Sequence, residues 1–586
     1  MSFQHILSKL MDSLRKKGSI EDAISEISLL VAFCYIPVSR PELNFNAVED
    51  VINGKLSLRQ AYDAAAEALP DYATFFTKSR LPFELSSSEV ISFLKAVSAE
   101  QRSDHWLWLQ SLSDLSSRKN DGLYSIPDEI VNLMVSLAME DKHSETVYSP
   151  FSLSVQLAVE ASQKADEVIY ESGHVSQYAA AIALLQGITL QKTDPISFPS
   201  NITEDNQLRK FSHVLMAPPF GQKLNAVVDP YNRFQSDSLQ SDVMTLEHGL
   251  AQCSGRMVAL VPMGLLFRSG ADGYFRERVV SSGILEAVIQ LPGAIFSTTA
   301  IATCVLVFDT NRNPKDPVLF YNADNEELAR SEGRPLRRIV HQWERIARDV
   351  LKRTQSEYCV RATATEITQQ GYDLSVSRYV LSDATQRIKS LDNTLPLSGI
   401  AQLIRAQLLK EDKEPRGDVY LEVGMKDISP SGKISAPEKR LQLSGRARDR
   451  AKQQHLQPGD ILLAIKGNLG RVGIVGNDCG DNWVAGQLFQ VIRINSEAKV
   501  KTEYLFRYLS SPLVQTYLRD QASGTTMAVL KTTDIKALPI PVPSAEEQQQ
   551  VLAIHQQIQQ AYAQIASIQT EIDQLAHAHW NLPAAQ

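Results

Sequence analysis

Over residues 1 to about 119 the apolar positions recur at three- and four-residue spacing. LSLRQAYDAAAEAL (56–69) and SSSEVISFLKAVSAE (86–100) show it most clearly, and the region is predicted to be a helical N-terminal domain, 1–119. The serines that open the second segment, followed by Glu89, predict a capping arrangement. From about 120 the pattern changes. Short apolar, β-rich runs appear: ETVYSP (145–150), DEVIY (166–170), FSHVLMA (211–217), RMVALVP (256–262), LEAVIQLP (285–292) and IATCVLVFD (301–309). Helical stretches separate the earlier runs, at 127–140, 155–165 and 177–188. Alternation at this spacing predicts an α/β domain over 120–345, an open and mainly parallel sheet with helices on both faces.

Residues 338–356 form a further helix candidate, and 346–395 are expected to be a connecting helix and linker. A second β-rich module, 396–545, ends on the proline-studded LPIPVP (538–543). The last region, 546–586, carries a heptad stripe of Val551, Ile554, Ile558, Ala561, Ile565, Ile568, Ile572 and Leu575. Such a stripe presents one apolar seam, which a second helix or the helix's own domain would cover.

Composition narrows the function classes. The chain has 586 residues, 44% hydrophobic and 22% charged, enough for several buried cores and unlike a disordered chain. No run of about 18 uncharged apolar residues occurs, so no membrane span is expected. The N-terminal MSFQHILSKLMDSLRKKGS lacks the features of a signal peptide. Five scattered cysteines argue against disulfide or zinc frameworks and fit a cytoplasmic protein. The net charge of −8 is uneven: residues 381–586 carry +2 and residues 1–380 carry −10. Within the second part, Lys439, Arg440, Arg446, Arg448, Arg450 and Lys452 form a basic stretch that either meets a polyanion or is a solvated face.

The first βα turn of such a sheet is where an adenine-containing cofactor normally needs glycines. Here it reads Ser149-Pro150-Phe151-Ser152-Leu153-Ser154-Val155, without glycine, and Leu153 and Val155 would crowd a cofactor. Glu171, at the end of the next strand, stands where an acid accepts hydrogen bonds from ribose hydroxyls, or is simply a solvated strand-end acid. Ala217-Pro218-Pro219-Phe220 follows the strand FSHVLM.

With these pieces the chain from about 120 to 380 resembles the modification subunit of type I restriction–modification systems, the N6-adenine DNA methylases. The matching segments are YSIP (124–127), VYSP (147–150), LLQGI (184–188), FSHVLMAPPFG (211–221), GRMVALVPMGLLFRSG (255–270), ILEAVIQLPGAIF (284–296), IATCVLVFD (301–309) and GYDLSVSRYV (371–380). The resemblance implies a Rossmann-like methyltransferase fold and, at 217–220, an Asn- or Asp-Pro-Pro-aromatic motif. Its polar residue accepts from the adenine amine and its ring stacks on the flipped base. Pro218, Pro219 and Phe220 are kept, but Ala217 stands in place of the amide. The family's glycine-rich turn falls on 149–155, where Pro150 alone of its defining residues remains. The scaffold is therefore expected to be kept and its chemistry lost. Pro150 and Glu171 would be vestiges of a cofactor site, no catalytic residue is expected at 217–220, and no cofactor is expected.

The second module resembles half of a type I specificity subunit, an α+β target-recognition domain, through LQPGDILLAIKGNLGRVGIV (456–475), NWVAGQLFQVIRI (482–494), SGTTMAVLKTTDIKALPIPVP (523–543) and EEQQQVLAIHQQI (546–558). That implies double-stranded DNA as a partner. The basic stretch Lys439–Lys452 would supply phosphate contacts. Lys466, Asn468 and Arg471, in a glycine-punctuated turn, and Thr525, Thr526 and Lys531 would reach a backbone or a base edge, unless Gly467, Gly470 and Gly473 mark ordinary turn chemistry.

A full specificity subunit has two recognition domains and two long helices, so two copies joined in a coiled coil through Val551–Leu575 would rebuild it. No nucleotide-binding P-loop, nuclease cluster or metal site is found: Asp229 and Asp237 are too thin a signal, and His174, His213 and His248 read as structural. Three functions follow as expectations. The first is a DNA-recognition scaffold of a restriction-modification-like or anti-phage system, serving a separate catalytic subunit. The second is an active N6-adenine methyltransferase using S-adenosylmethionine. The third is an interaction decoy.

Overall fold

The computed structural model describes residues 3–99, 126–140, 143–151, 154–235, 240–296, 301–332, 337–410, 417–522 and 529–578. The chain divides into two compact units, 1–380 and 381–586.

The first unit is built on a nine-stranded sheet. Its strands are β1 (Ser144–Pro150), β2 (Ala165–Glu171), β3 (Thr189–Gln191), β4 (Phe211–Met216), β5 (Cys253–Pro262), β6 (Leu285–Gln290), β7 (Thr303–Asp309) and β8 (Val318–Asn322). After a small hairpin of β9 (Arg330–Glu332) and β10 (Arg337–Ile339), β11 (Cys359–Ala362) closes the sheet, whose order is β11-β8-β6-β7-β5-β4-β1-β2-β3. The half from β3 to β5 is parallel, as the alternation predicts. β7 departs from it: it inserts antiparallel between β5 and β6. An apolar run carries no direction, and β7 is buried along almost its whole length, so its sequence reads the same either way.

Successive residues of the central strands enter two cores. Val147, Leu215 and Val258 face one side, while Tyr148, Val214 and Met257 face the other. The N-terminal helices share the first of these cores. Leu58–Ala68 and Ser87–Ala99 begin where the sequence predicts. Ser57 and Gln60 form a capping box, and Ser86 and Glu89 exchange the same pair of bonds.

Helix Ile20–Ser39 is long and apolar enough to cross a membrane by length and composition. Most of that stretch is buried, and it packs against helix Gln177–Leu185. Tyr72 Oη adds a 2.9 Å bond to the Ile188 carbonyl. The stretch expected to be a linker is instead part of this unit up to Val380. Helix Trp343–Leu351 buries Ile346, Ala347 and Val350 against helix Asp128–Met139, β11 pairs with β8, and Tyr379 stacks on Phe320 at 3.8 Å. The helix expected from 338 begins at Trp343, because Arg337–Ile339 pairs with β9.

The second unit is α+β. A four-stranded antiparallel sheet has the order β13 (Ala401–Arg405), β19 (Phe489–Ile494), β16 (Ile461–Ala464), β17 (Val472–Ile474). A three-stranded sheet has the order β15 (Lys439–Leu443), β14 (Asp418–Val423), β18 (Trp483–Ala485). The pair β12 (Thr394–Pro396) and β20 (Pro539–Pro541) ties the module's ends together.

One continuous helix, Ala545–Ala578, follows. Its base is anchored: Gln548 is buried and bonds the Lys501 amide and the Lys499 carbonyl. His555 lies edge-on to Phe506, and Gln559 bonds the Ser431 carbonyl. From 560 to 576 every residue is exposed, a free rod of about 25 Å at 1.5 Å per residue. Ile565, Ile568, Ile572 and Leu575, each more than half exposed, keep their seam uncovered within the described residues.

Candidate functional site

β1 and β2 end side by side, with Pro150 opposite Glu171, at the carboxyl edge of the sheet where open α/β folds hold their ligands. Glu171 is fully buried rather than solvated. Its Oε2 accepts 2.6 Å bonds from both Tyr148 Oη and Asn201 Nδ2. Its Oε1 accepts from Ser200 Oγ at 2.7 Å and from Thr193 Oγ1. A carboxylate offers about four acceptor directions, and the chain's own β1 strand and 193–201 loop occupy all of them.

The network continues beyond Tyr148. Arg233, with no exposed side chain, bonds Asp229 Oδ1, the carbonyls of Pro195 and Ile196, and His248 Nδ1 at 2.8 Å. An arginine only donates, so His248 Nδ1 must accept and its proton sits on Nε2. That proton is donated to Tyr148 Oη at 3.0 Å, and the Tyr148 hydroxyl in turn donates to Glu171. Burial, reinforced by the Arg233 guanidinium, holds the His248 imidazole well below its usual titration range. Burial first, and then the Glu171 carboxylate, pushes the Tyr148 phenol well above its own. The middle of this relay, Tyr148 and His248, stays neutral.

The turn after β1 departs further from a cofactor-binding turn. Phe151 adopts φ +60°, a left-handed backbone that favours glycine, and its amide donates to the Glu171 carbonyl at 2.9 Å. Its ring packs edge-on to His248 at 5.3 Å. Val155 is buried in the core beside helix Gln156–Ser162, and Leu153 lies outside the described residues. Among the described residues of this turn there is no glycine, and the acceptor directions of Glu171 are taken within the chain.

Ala217-Pro218-Pro219-Phe220 follows β4 and lines a cup of about 220 Å³. Leu260 of β5, Phe296 and Ile301 complete its wall. Ser154 and Gln222 carry its polar side chains among the described residues. Ala217 is buried in the wall, while Phe220 and Phe296 keep partly exposed rings. Ser154 Oγ is already engaged with Gln156, donating to Oε1 at 2.8 Å and accepting from the amide at 3.2 Å.

In the second unit the basic residues separate by role. β15 is an edge strand, and Lys439 at its start pairs with Glu422 at 2.8 Å. Arg440 is exposed. Helix Gly445–Gln453 turns Ala447 and Ala451 inward, which places Arg446 and Arg450 on one flank and Arg448 and Lys452 on the other. Arg448 lies 3.9 Å from Asp449. Gly467 and Gly470 have φ of +72° and +86°, so the turn between β16 and β17 requires them. That turn leaves Asn468 exposed and Lys466 half-buried. Arg471 is turned inward: its guanidinium donates to the Ile428 carbonyl, and it braces the fold instead of reaching out. Lys531 precedes helix Thr532–Lys536, and Thr525 and Thr526 lie outside the described residues.

Arg233, Thr193, Ser200 and Asn201 escape sequence reading, and Asp229, noted there only as a weak metal signal, instead holds Arg233 in the network. Asp229 and Arg233, four residues apart beyond the Pro-Pro turn, are the one local signal that points to it. Among the described residues no group of three or more His, Cys, Asp or Glu could hold a metal ion.

Residues 107–387 match the N-6 DNA methylase family and residues 394–576 match the type I restriction modification DNA specificity domain. The type I restriction enzyme MpnII methylase subunit of Mycoplasma pneumoniae is 32% identical over 140 residues, 22% of this chain and 25% of that one. The EcoBI specificity subunit of Escherichia coli is 32% identical over 123 residues, 21% and 24% of the respective chains. The match thus spans about a quarter of each of these relatives. The solved structure of a type I restriction-modification system methyltransferase subunit from Streptococcus thermophilus superposes with a TM-score of 0.52 at 21% identity. It covers 65% of this chain and all of that one, a likeness of fold. In one polypeptide, therefore, the chain carries a domain of the N-6 DNA methylase family followed by a domain of the type I restriction–modification DNA specificity family.

Proposed function

We propose that the chain is a catalytically silent, methylase-like DNA-recognition scaffold of a restriction-modification-like or anti-phage system, serving a separate catalytic subunit. The observation that carries this reading is the saturation of Glu171 by Tyr148, Asn201, Ser200 and Thr193. A ribose would have to displace those donors, each held by a charge-assisted bond. Ala217 adds to it, since a methyl group cannot orient an amine for attack. Arg446, Arg450 and Lys452 give the specificity module a solvent-facing basic helix suited to phosphates. The uncovered seam of the C-terminal helix supports a dimer of two such chains, which would place two recognition modules on one duplex.

An active N6-adenine methyltransferase using S-adenosylmethionine is the competing reading, and the open cup over Pro218-Pro219-Phe220 is the observation that favours it. Calorimetric titration of the full chain with S-adenosylmethionine, with and without duplex DNA, separates the two. No heat up to millimolar ligand is expected. Micromolar binding, followed by methyl transfer to genomic DNA, would overturn the scaffold reading.

A further inference from the structure

Two loops close the end of the sheet at Glu171. The first is 193–201, whose Thr193, Ser200 and Asn201 bond the Glu171 carboxylate. The second is 229–234, and it holds the first through one side chain. Arg233 Nη1 donates to the Pro195 carbonyl and Nη2 to the Ile196 carbonyl, each at 2.7 Å. Nη1 also donates to His248 Nδ1 at 2.8 Å. The guanidinium Nε is paired at 2.8 Å with Asp229, a residue of its own loop. Asp229 in turn accepts from the Arg233 and Phe234 amides. We propose that the two loops are a single gate over Glu171, with Arg233 as its clasp, so that they open together or not at all. The proposal rests on the saturation of Glu171 that carries the scaffold reading above.

Where the charges sit decides which movements are open to the loops. Asp229 and Arg233 belong to the same loop, so 229–234 can swing out as a neutral pair and leave no buried charge uncompensated. It leaves behind the Pro195 and Ile196 carbonyls and His248 Nδ1, buried acceptors without donors. Orphaned polar groups in a dry site are strongly unfavourable. Water can satisfy them only if 193–201 lifts as well. The converse movement is no easier. Lifting 193–201 alone takes two acceptors from a guanidinium whose side chain has no exposed surface. Half-open states are therefore disfavoured from both sides, and the least unfavourable opening moves both loops. It carries Thr193, Ser200 and Asn201 away and leaves Glu171 with Tyr148 as its remaining side-chain donor.

Hydrogen exchange of the full-length protein, read by mass spectrometry over a low-denaturant series, tests the gate. Peptides covering 193–201 and 229–235 should share one opening constant and one denaturant slope, distinct from those of β5. Arg233→Met keeps most of the side chain's length and removes its donors. It should raise exchange in both peptides together by about tenfold, the effect of losing one hydrogen bond to a charged group. Carbodiimide coupling of glycine ethyl ester to carboxylates gives a second readout. Glu171 should be refractory in the unaltered chain and labelled about tenfold faster in Arg233→Met. The comparison of the two loops in the unaltered chain stays decisive if Arg233→Met fails to fold. Separate opening constants, or a response to Arg233→Met confined to 229–235, overturn the gate and leave the scaffold reading to its own titration. Labelling of Glu171 in the unaltered chain at the rate of an exposed carboxylate overturns both.

Discussion

Tyr148→Phe removes one oxygen atom from the middle of the buried relay. The ring remains, stacked on Phe211 at 4.7 Å with an interplanar angle of 17°, so packing is conserved. Two hydrogen bonds disappear. Glu171 Oε2 loses a charge-assisted donor at 2.6 Å, and the proton on His248 Nε2 loses its acceptor at 3.0 Å. A hydrogen bond to a charged group contributes about 1.5–3 kcal/mol, and a buried donor left unpaired costs about 1–3 kcal/mol. Because the two terms share one hydroxyl, a combined loss of about 3 kcal/mol is the expectation. Spread over the 380 residues of the first unit, at about 2.1 cal/mol/K per residue, this lowers the midpoint by about 4 °C. Differential scanning calorimetry of the full chain reads it directly. A shift of less than about 1 °C at this scaling would mean that Glu171 does not depend on Tyr148. One acceptor direction on its Oε2 would then be open to a ligand, and the argument against a ribose there would weaken.

Three further outcomes follow. The folded state holds His248 below its unfolded value of about 6.5, so the unfolded chain binds more protons under that pH. Stability should therefore be full above about pH 6.5 and decline as pH falls toward the folded-state value. Half-buried His213 and His555 add the same sign, so His248→Gln should flatten the acid limb of the denaturation midpoints only in part. Reversing Arg446 and Arg450 to Glu should weaken binding to any duplex and reduce the slope of log affinity against log salt by about two, read by fluorescence anisotropy across a salt series. Ile568→Asp together with Ile572→Asp should leave the thermal transitions of the folded units unchanged, because both side chains are exposed, yet abolish the proposed pairing of two chains, read by sedimentation velocity of both proteins.

Much of the fold could be read from the sequence because apolar runs report burial directly. β1, β2, β4, β5, β6 and β7 lie within or close to the predicted runs, and Ser57 and Ser86 start their helices by ordinary capping chemistry. Direction, and the two strands at the β11 end of the sheet, were not legible. Val318–Asn322 and Cys359–Ala362 are short, and their pairing depends on partners far away in sequence. The site divides in the same way. Glu171 could be located from its place at the end of a strand, but not what it touches. Thr193, Ser200 and Asn201 reach it across 22–30 residues, through single polar contacts that have no period to detect. Arg471 shows the converse. Its place in a glycine-rich turn suggested an outward role, and a backbone carbonyl claimed it instead.

The left-handed Phe151 limits how the turn after β1 could be opened. A bulky residue at φ +60° holds about 1–3 kcal/mol of backbone strain, and the ring against His248 offsets it. Placing glycine at this position relaxes the backbone but removes the ring, and with it one wall of the compartment around His248. Opening the turn at Val155, or freeing Glu171 from Asn201, also lowers stability when made alone. Each of these single changes therefore trades stability for space at the turn. Opening it without that loss would take several compensating changes made together.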